Sequence, residues 1–139
     1  ESKDGMDISL CNYNPKNKTV EFSGAYNSLI HISNDELITI KADNQPVSLY
    51  AEKTNIPFTK KIFKVNKDDM LYLYSDGFQD QFGGIKNKKY KSLRFKNFLK
   101  KISNSTSQEQ ISSLKLEFDN WKGSNEQIDD VCVMGLRII

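Results

Sequence analysis

The stretch from Met70 to Gln81 combines a strand-like sequence with a candidate functional carboxylate. It reads MLYLYSDGFQDQ, and its first five residues are apolar and aromatic, which is typical of a short buried strand. Asp76 follows that strand, and Gly77 allows the backbone to turn sharply beside it. Because a buried strand fixes the backbone behind it, the sequence predicts a rigidly positioned carboxylate at Asp76.

A second acidic segment, Asp129 with Asp130, also borders a strand-like run. The apolar sequence VCVMGLRII follows directly, from Val131 to Ile139. Carboxylates at strand ends are hard oxygen ligands of the kind that Mg²⁺ and Mn²⁺ prefer. The residues leave alternatives open, since Asp76 could instead begin a turn or cap a helical turn. An acidic pair in a polar loop is usually solvated.

The composition is that of a globular protein with no strong overall charge. The chain has 139 residues and a net charge of +2. This small charge does not indicate general electrostatic binding to nucleic acid or to an anionic membrane. We therefore predict one domain over residues 1–139. No apolar run approaches the roughly 20 residues that span a bilayer. Cys11 and Cys132 have neither metal-ligand nor disulfide spacing, so we expect buried free thiols and a reducing, cytoplasmic compartment.

Alternating polar and apolar residues in the first half predict antiparallel strands. Residues 6–24 form one predicted hairpin. Residues 28–40 form a second, around Asn34 and Asp35, which tolerate the conformations of a tight turn. Together these hairpins predict a four-stranded antiparallel meander.

The middle of the chain predicts a further strand and then a loop. Residues 58–65 read as a strand, and the Gly- and Lys-rich segment 83–91 reads as a mobile surface loop. A solvated loop is the simpler interpretation, but its lysines could meet an acidic or phosphorylated protein. These lysines are Lys86, Lys88, Lys89 and Lys91.

Two late segments show helical spacing. The first places apolar residues at i, i+3, i+4 and i+7, namely Phe95, Phe98, Leu99 and Ile102. The second begins with a capping box, which pairs either Thr106 with Glu109 or Ser107 with Gln110, and Gly123 is placed to end it. Its predicted apolar face consists of Ile111, Leu114, Phe118 and Trp121. Strands first, helices late and a final strand predict an α+β fold.

Several short segments also occur in an order that matches a known family. They are YSDGFQDQFGG and, after two predicted helices, EQIDDVCVMGLRI, preceded by KDGMDISLC, FSGAYNSLIHI and KADNQPV. This combination resembles the metal-dependent serine/threonine phosphatases of the PPM, or type 2C, class. The likeness covers Lys3 to Ile139 and is greatest to the bacterial branch typified by the sporulation phosphatase SpoIIE.

The resemblance implies an αββα sandwich with a binuclear Mn²⁺ or Mg²⁺ centre between its two sheets. Asp76 and Asp129 match metal ligands of the family, and we give Gly77 and Asp130 a supporting role. Such a centre would activate water to hydrolyse phosphoserine or phosphothreonine, with no serine, cysteine or histidine nucleophile. This agrees with His31, the only histidine, which has no neighbour that suggests catalysis and is expected to be structural or at the surface.

One family motif is absent from the sequence. The Asp-x-x-Gly-His-Gly element, whose aspartate bridges both metal ions in the family, occurs nowhere in the chain. We therefore expect an incomplete sandwich, the C-terminal portion of a catalytic domain, with weak or absent metal binding and little phosphatase activity. A non-catalytic, phosphatase-like binding or dimerisation module is the alternative.

The family branch also implies partners and a cellular context. We expect the substrate to be a phosphorylated regulatory protein of the anti-sigma-factor antagonist type, and we expect no contact with nucleic acid or membrane by this segment. Exposed sheet edges would favour a homodimer. The expected location is the cytoplasm, with the segment belonging to a longer sensor protein that is either free or anchored to a membrane.

Overall fold

The structure is a computed structural model that describes residues 5–48 and 56–139. It divides into two compact units. Unit 1 comprises Glu1–Tyr74 together with Leu136–Ile139, and unit 2 comprises Ser75–Gly135. Unit 1 is built mainly from strands, and unit 2 contains the helices.

The described elements follow the predicted order. In chain order they are β1 (Ile8–Asn14), β2 (Thr19–Ala25), β3 (Leu29–Ser33), β4 (Glu36–Ile40), β5 (Lys61–Lys64), β6 (Met70–Tyr74), α1 (Gly77–Asp80), β7 (Phe82–Gly83), β8 (Lys88–Lys89), α2 (Ser92–Ile102), α3 (Ser107–Lys122) and β9 (Val133–Arg137). Antiparallel strands come first, the two long helices come late and a strand comes last. The predicted α+β class is therefore confirmed.

Both predicted hairpins are present in unit 1. β1 pairs antiparallel with β2, with Ile8 opposite Ala25. β3 pairs antiparallel with β4 through a two-residue turn at Asn34 and Asp35, whose φ values are 48° and 63°. Positive φ at both positions matches the right-handed twist of the flanking strands, and Asn and Asp accept this conformation better than most residues.

The predicted four-stranded meander is wrong, because the two hairpins belong to different sheets. β2 pairs with β5 and β3 pairs with β6, which gives one sheet in the order β1-β2-β5 and another in the order β4-β3-β6-β9. The chain leaves the first sheet at Tyr26, where a φ of 58° redirects the backbone. The Tyr26 N–H donates to Asp43 O at 2.9 Å, and the Asp43 N–H donates to Gly24 O at 2.9 Å. The end of β2 therefore binds the segment after β4.

Apolar side chains from both sheets of unit 1 form one core. Val20 and Phe22 of β2 lie in the same cluster as Leu29 of β3 and Leu71 of β6, and each is at most 2% exposed. Full burial of such a side chain contributes roughly 1.5–3 kcal/mol. This packing fixes β6, the strand that leads to Ser75.

Unit 1 also buries a polar pair that the sequence did not reveal. His31 and Asp69 are 5% and 3% exposed, and His31 Nε2 lies 2.7 Å from Asp69 Oδ2. Burial acts to raise the pKa of Asp69, but hydrogen bonds from Ser33, the Asn66 N–H and His31 outweigh it and lower that pKa. His31 is structural, and it has a close partner 38 residues away in the sequence.

Both predicted helices are present in unit 2, and α3 begins and ends as predicted. α3 has a capping box in which Thr106 Oγ1 accepts from the Glu109 N–H and the Glu109 carboxylate accepts from the Thr106 N–H. Gly123 ends the helix with a φ of 55°. The predicted apolar face is partly wrong, because Ile111 is 60% exposed and Gln110 is buried instead. Within the described ranges, no helix is both long and apolar enough to cross a membrane.

The segment predicted as a mobile loop contains a two-stranded hairpin. β7 and β8 pair antiparallel, with Gly83 opposite Lys88. The Gly84 N–H donates to Trp121 O at 2.9 Å, and a Cβ on Gly83 would overlap the same carbonyl. Because Gly83 has no side chain, the hairpin can lie directly against the last turn of α3.

The two cysteines are free thiols, but neither is buried as predicted. Cys11 is half-buried, and burial raises the pKa of its thiol. Cys132 is exposed. Its backbone, rather than its side chain, carries the contacts described below.

Candidate metal-ligand site

Ser75 joins the two acidic segments within unit 2. Its N–H donates to Cys132 O at 3.0 Å. Its Oγ donates to Asp130 O at 2.8 Å and accepts from the Cys132 N–H at 2.9 Å. These three bonds hold the start of the Asp76 segment against the backbone that follows Asp129. The structure therefore places the two acidic segments side by side at the level of the backbone.

Gly77 permits this close approach. A Cβ added there would overlap the Asp130 carbonyl, whose carbon would lie 2.9 Å away. α1 begins at Gly77, and Asp76 is its N-cap residue, but the Asp76 side chain makes no capping bond. The Asp76 residue is exposed. The helix-capping alternative for this carboxylate is therefore not supported.

Asp129 and Asp130 lie on an exposed segment with internal hydrogen bonds. The Asp130 N–H donates to Asp129 Oδ1 at 2.7 Å, and Gln127 Nε2 donates to Asp129 O at 2.8 Å. With Ile128, these residues line an open depression of about 350 Å³. The backbone N–H restricts the orientation of the Asp129 carboxylate and leaves it beside solvent.

Gln81 is a buried positioning residue that the sequence analysis did not identify. It is 0% exposed, and its Nε2 donates to Phe82 O at 3.0 Å and to Glu126 O at 2.8 Å. Its Oε1 accepts from the Ile128 N–H at 3.4 Å. Because Glu126 to Ile128 lead directly into Asp129, Gln81 anchors the approach to the second acidic segment. Glu126 is 45 residues away, so no local pattern signals this role.

A second polar cluster connects α2, α3 and the residue after β8. Arg94 lies over the rings of Tyr90 and Trp121, 4.5 and 4.3 Å from their centres. Glu117 Oε1 accepts hydrogen bonds from Arg94 Nη2 at 2.9 Å and from Tyr90 Oη at 2.8 Å. Burial, followed by the hydrogen bond and the charge of Glu117, raises the pKa of Tyr90. The phenol therefore stays protonated and continues to donate.

The carboxylates are chemically suited to a divalent ion, but the group is small. Asp76, Asp129 and Asp130 are exposed, and hard oxygen donors of this type bind Mg²⁺ and Mn²⁺. Among residues 5–48 and 56–139, no group of three or more His, Cys, Asp or Glu side chains could hold a metal ion. The described residues therefore do not form a complete divalent centre.

The fold is that of the PP2C-type phosphatase domains. A family model described as Stage II sporulation protein E (SpoIIE) matches residues 2–139. The chain therefore belongs to the SpoIIE family, and the predicted resemblance to this bacterial branch is confirmed. No curated protein sequence matches the chain.

Several solved structures share this fold at low sequence identity. The SiaA-PP2C domain of Pseudomonas aeruginosa has a TM-score of 0.85 and 22% identity, with 96% of this chain and 51% of that chain covered. The phosphatase domain of the cell fate determinant SpoIIE from Bacillus subtilis has a TM-score of 0.70 and 16% identity, with 95% of this chain and 58% of that chain covered. The Mycobacterium tuberculosis serine/threonine phosphatase PstP/Ppp has a TM-score of 0.60 and 11% identity, with 96% of this chain and 60% of that chain covered. The chain thus spans a little over half the length of these relatives.

Proposed function

We propose that this chain is the C-terminal portion of a metal-dependent serine/threonine phosphatase domain. In the complete domain, Asp76 and Asp129 would each bind one or both of two Mn²⁺ or Mg²⁺ ions, with Gly77 and Asp130 in support. The observation that carries this proposal is the pair of hydrogen bonds through Ser75 Oγ, which hold the two acidic segments together. Membership of the SpoIIE family supplies the reaction class.

Each residue has a defined part in this proposal. Asp76 and Asp129 present exposed carboxylates from backbone segments that are fixed by neighbouring bonds. Gly77 keeps those segments close, and the Asp130 N–H orients the Asp129 carboxylate. If bound there, two divalent ions would lower the pKa of a water molecule and would neutralise phosphoryl charge.

By itself, this chain should bind metal weakly and have little activity. Calorimetric titration with Mn²⁺ tests the binding, and hydrolysis of p-nitrophenyl phosphate tests the activity. We expect no tight binding and no robust turnover. Mn²⁺-dependent hydrolysis that is abolished by Asp76→Asn would contradict the incomplete ligand set and would identify a working site within the chain.

The catalytic assignment is tested in a longer protein that includes the residues upstream of Glu1. There, Asp76→Asn or Asp129→Asn should lower kcat/KM at least about 100-fold, because outer-shell partners of metal ligands alone are typically worth roughly 10–100-fold. The matched control is Asp35→Asn, an exposed residue of the β3–β4 turn. Unchanged activity in both test variants would exclude them as ligands.

A non-catalytic binding or dimerisation module is the second candidate. It is favoured by the small size of the acidic group in the described residues. β1 and β4 lie at sheet edges, where unpaired backbone groups can recruit another copy. A homodimer in light scattering, together with a residue other than aspartate in the upstream Asp-x-x-Gly-His-Gly position, would favour this module. A clean monomer at high concentration would count against it.

We further propose a cytoplasmic signalling role within a longer sensor protein. The proposed substrate is a phosphorylated regulatory protein of the anti-sigma-factor antagonist type. The test is phosphate release from such a phosphoprotein by the longer enzyme, compared with release from an unrelated phosphoserine protein. Equal rates on both would argue against this substrate class.

A further inference from the structure

Positive charge is segregated into one continuous part of unit 2. No acidic residue occurs between Asp80 and Glu109, and this stretch holds eight Lys and Arg residues in a chain whose net charge is only +2. It covers the β7–β8 hairpin and all of α2. The remainder of the chain is therefore net acidic, and the basic stretch is a local feature rather than a consequence of overall composition.

The hairpin and its flanks present these charges to solvent. We call Lys86, Lys88, Lys91 and the preceding turn residue Ile85 the basic hairpin surface. All four are exposed, and Ile85, at the tip, is completely so. In the part of the chain that the structure describes, Lys86, Lys88 and Lys91 form no ion pair.

The base of the hairpin is held firmly by contacts within unit 2. The Tyr90 N–H donates to Gln81 O at 3.0 Å, and the Lys91 N–H donates to Gln79 O at 2.7 Å. Trp121 Nε1 donates to the same Gln81 oxygen at 2.9 Å. A fixed base lets exposed charges and an apolar tip bind a partner with little loss of backbone freedom.

Lys89, the neighbour of Lys88 in β8, connects the hairpin to the proposed metal-ligand site. Lys89 Nζ lies 2.9 Å from Asp80 Oδ2. The Asp80 N–H in turn donates to Asp76 O at 3.0 Å, so Asp80 is one helical turn, about 5.4 Å along the axis, from Asp76. The hairpin is therefore connected through Asp80 to the segment that carries Asp76.

We propose that the basic hairpin surface binds an acidic segment of the phosphoprotein substrate. The proposal rests on the proposed phosphatase function, because that function brings a phosphoprotein to Asp76. Charge complementarity would steer and hold the acidic segment, and Ile85 adds an apolar contact. The surface thus determines which phosphoproteins reach the site.

Two other classes of partner fit the surface less well. Single-stranded nucleic acid binding relies on several exposed aromatic rings for stacking. In the hairpin and its contacts, Phe82 is 39% exposed, but Tyr90 is 2% exposed and Arg94 covers Trp121. An anionic membrane would require an available apolar helix face. In α2, Leu93 is 72% exposed, but Phe95 and Leu99 are fully buried in unit 2, so the helix does not present a continuous apolar face.

The test is binding of a fluorescent acidic peptide to the chain at low salt, followed by anisotropy. The peptide carries several glutamates, with and without one phosphoserine, and a glutamine version provides the neutral comparison. We expect binding of both acidic peptides, since docking does not require hydrolysis. Changing Lys86, Lys88 and Lys91 together to Glu should weaken this binding about tenfold or more, because three attractions become repulsions.

A matched variant changes Lys16, Lys64 and Lys67 to Glu, which alters net charge equally at exposed positions of unit 1. It should weaken binding less than about twofold. Equal weakening by both variants, or equal binding of the glutamine peptide, would overturn the proposal. Preferential binding to phosphatidylserine vesicles or to an oligonucleotide would also overturn it. No metal is added, so failed docking is distinct from failed catalysis.

Discussion

Asp69 in unit 1 and Asp129 in unit 2 are the same side chain in opposite environments. Asp69 is 3% exposed and accepts hydrogen bonds from Ser33, Asn66 and His31. Asp129 is exposed, and its carboxylate accepts the N–H of the next residue. Of these two carboxylates, the one with more hydrogen-bond donors, Asp69, is structural. Asp129, which we propose for metal binding, lies beside solvent.

In unit 2, other residues hold the backbone near Asp76 and Asp129 in place. Ser75 bridges the two segments, Gly77 allows them to approach, and Gln81 anchors the residues that lead into Asp129. Such a division suits a ligand site, because the carboxylate oxygens are not needed to hold the fold.

The largest expected difference between the two environments is in stability. Asp69→Ala should lower the free energy of unfolding by about 3–5 kcal/mol, because it leaves buried His31 without its partner and removes the acceptor of the Asn66 N–H. Asp129→Ala should change it by less than about 0.5 kcal/mol, as exposed substitutions usually do. Urea denaturation measures both. Similar losses in the two variants would remove the distinction between structural and exposed carboxylates.

Gly77→Ala should have the next largest effect. The added Cβ would overlap the Asp130 carbonyl, so the two acidic segments must separate at a cost of about 1–3 kcal/mol. Gly123→Ala is the control, since a Cβ there meets nothing within 4 Å although φ is 55°. That variant should lose about 1–3 kcal/mol through backbone strain alone, but only Gly77→Ala should accelerate amide exchange at the Cys132 N–H, which bonds Ser75. If denaturation finds Gly77→Ala to be as stable as the parent, the close approach is not required.

Gln81→Met keeps the length of a buried side chain but removes its donor and acceptor. The Glu126 carbonyl and the Ile128 N–H lose their partner, which should cost about 1–3 kcal/mol. Amide hydrogen exchange at Ile128 should accelerate. Gln127→Met, at an exposed neighbour, should leave that exchange rate nearly unchanged. Equal protection in both variants would show that Gln81 does not anchor this segment.

The smallest expected effect is the pH dependence of stability that Asp69 causes. Because folding lowers the pKa of Asp69, its contribution to stability is complete above the unfolded value of about 3.9 and is lost as pH falls through the folded value. The urea midpoint of the parent should therefore decline below about pH 4 more steeply than that of Asp69→Asn. Asp129→Asn, which removes the same charge elsewhere, should keep the steep decline. Parallel curves for the parent and Asp69→Asn would contradict this assignment.

Local patterns predicted the local parts of the fold. The β3–β4 hairpin follows from Asn34 and Asp35, and the start of α3 follows from Thr106 with Glu109, because turn and cap preferences act over a few residues. The YSDGFQDQFGG segment identified the family. The prediction of one four-stranded meander was wrong because strand pairing depends on contacts between residues far apart in the sequence. The hydrogen bond between Tyr26 and Asp43 is one such contact.

Buried polar residues were the least predictable part of the molecule. His31 and Gln81 find partners 38 and 45 residues away, so nothing in their surrounding sequence signals burial. The roles of Asp76, Gly77 and Asp129 in metal binding remain predictions. Their backbone neighbourhood could not have been derived from the sequence, because Ser75 and Asp130 are 55 residues apart.

The position of Trp121 has a practical consequence for experiments. It is the chain's only tryptophan, and it lies in unit 2, with its indole N–H bound to Gln81 and its ring under Arg94. Its fluorescence therefore reports on unit 2 alone, whereas the β-sheet circular dichroism comes largely from the strands of unit 1. Following both signals during denaturation will distinguish one concerted transition from two separate ones. The chain thus carries its own optical probe at the base of the basic hairpin surface.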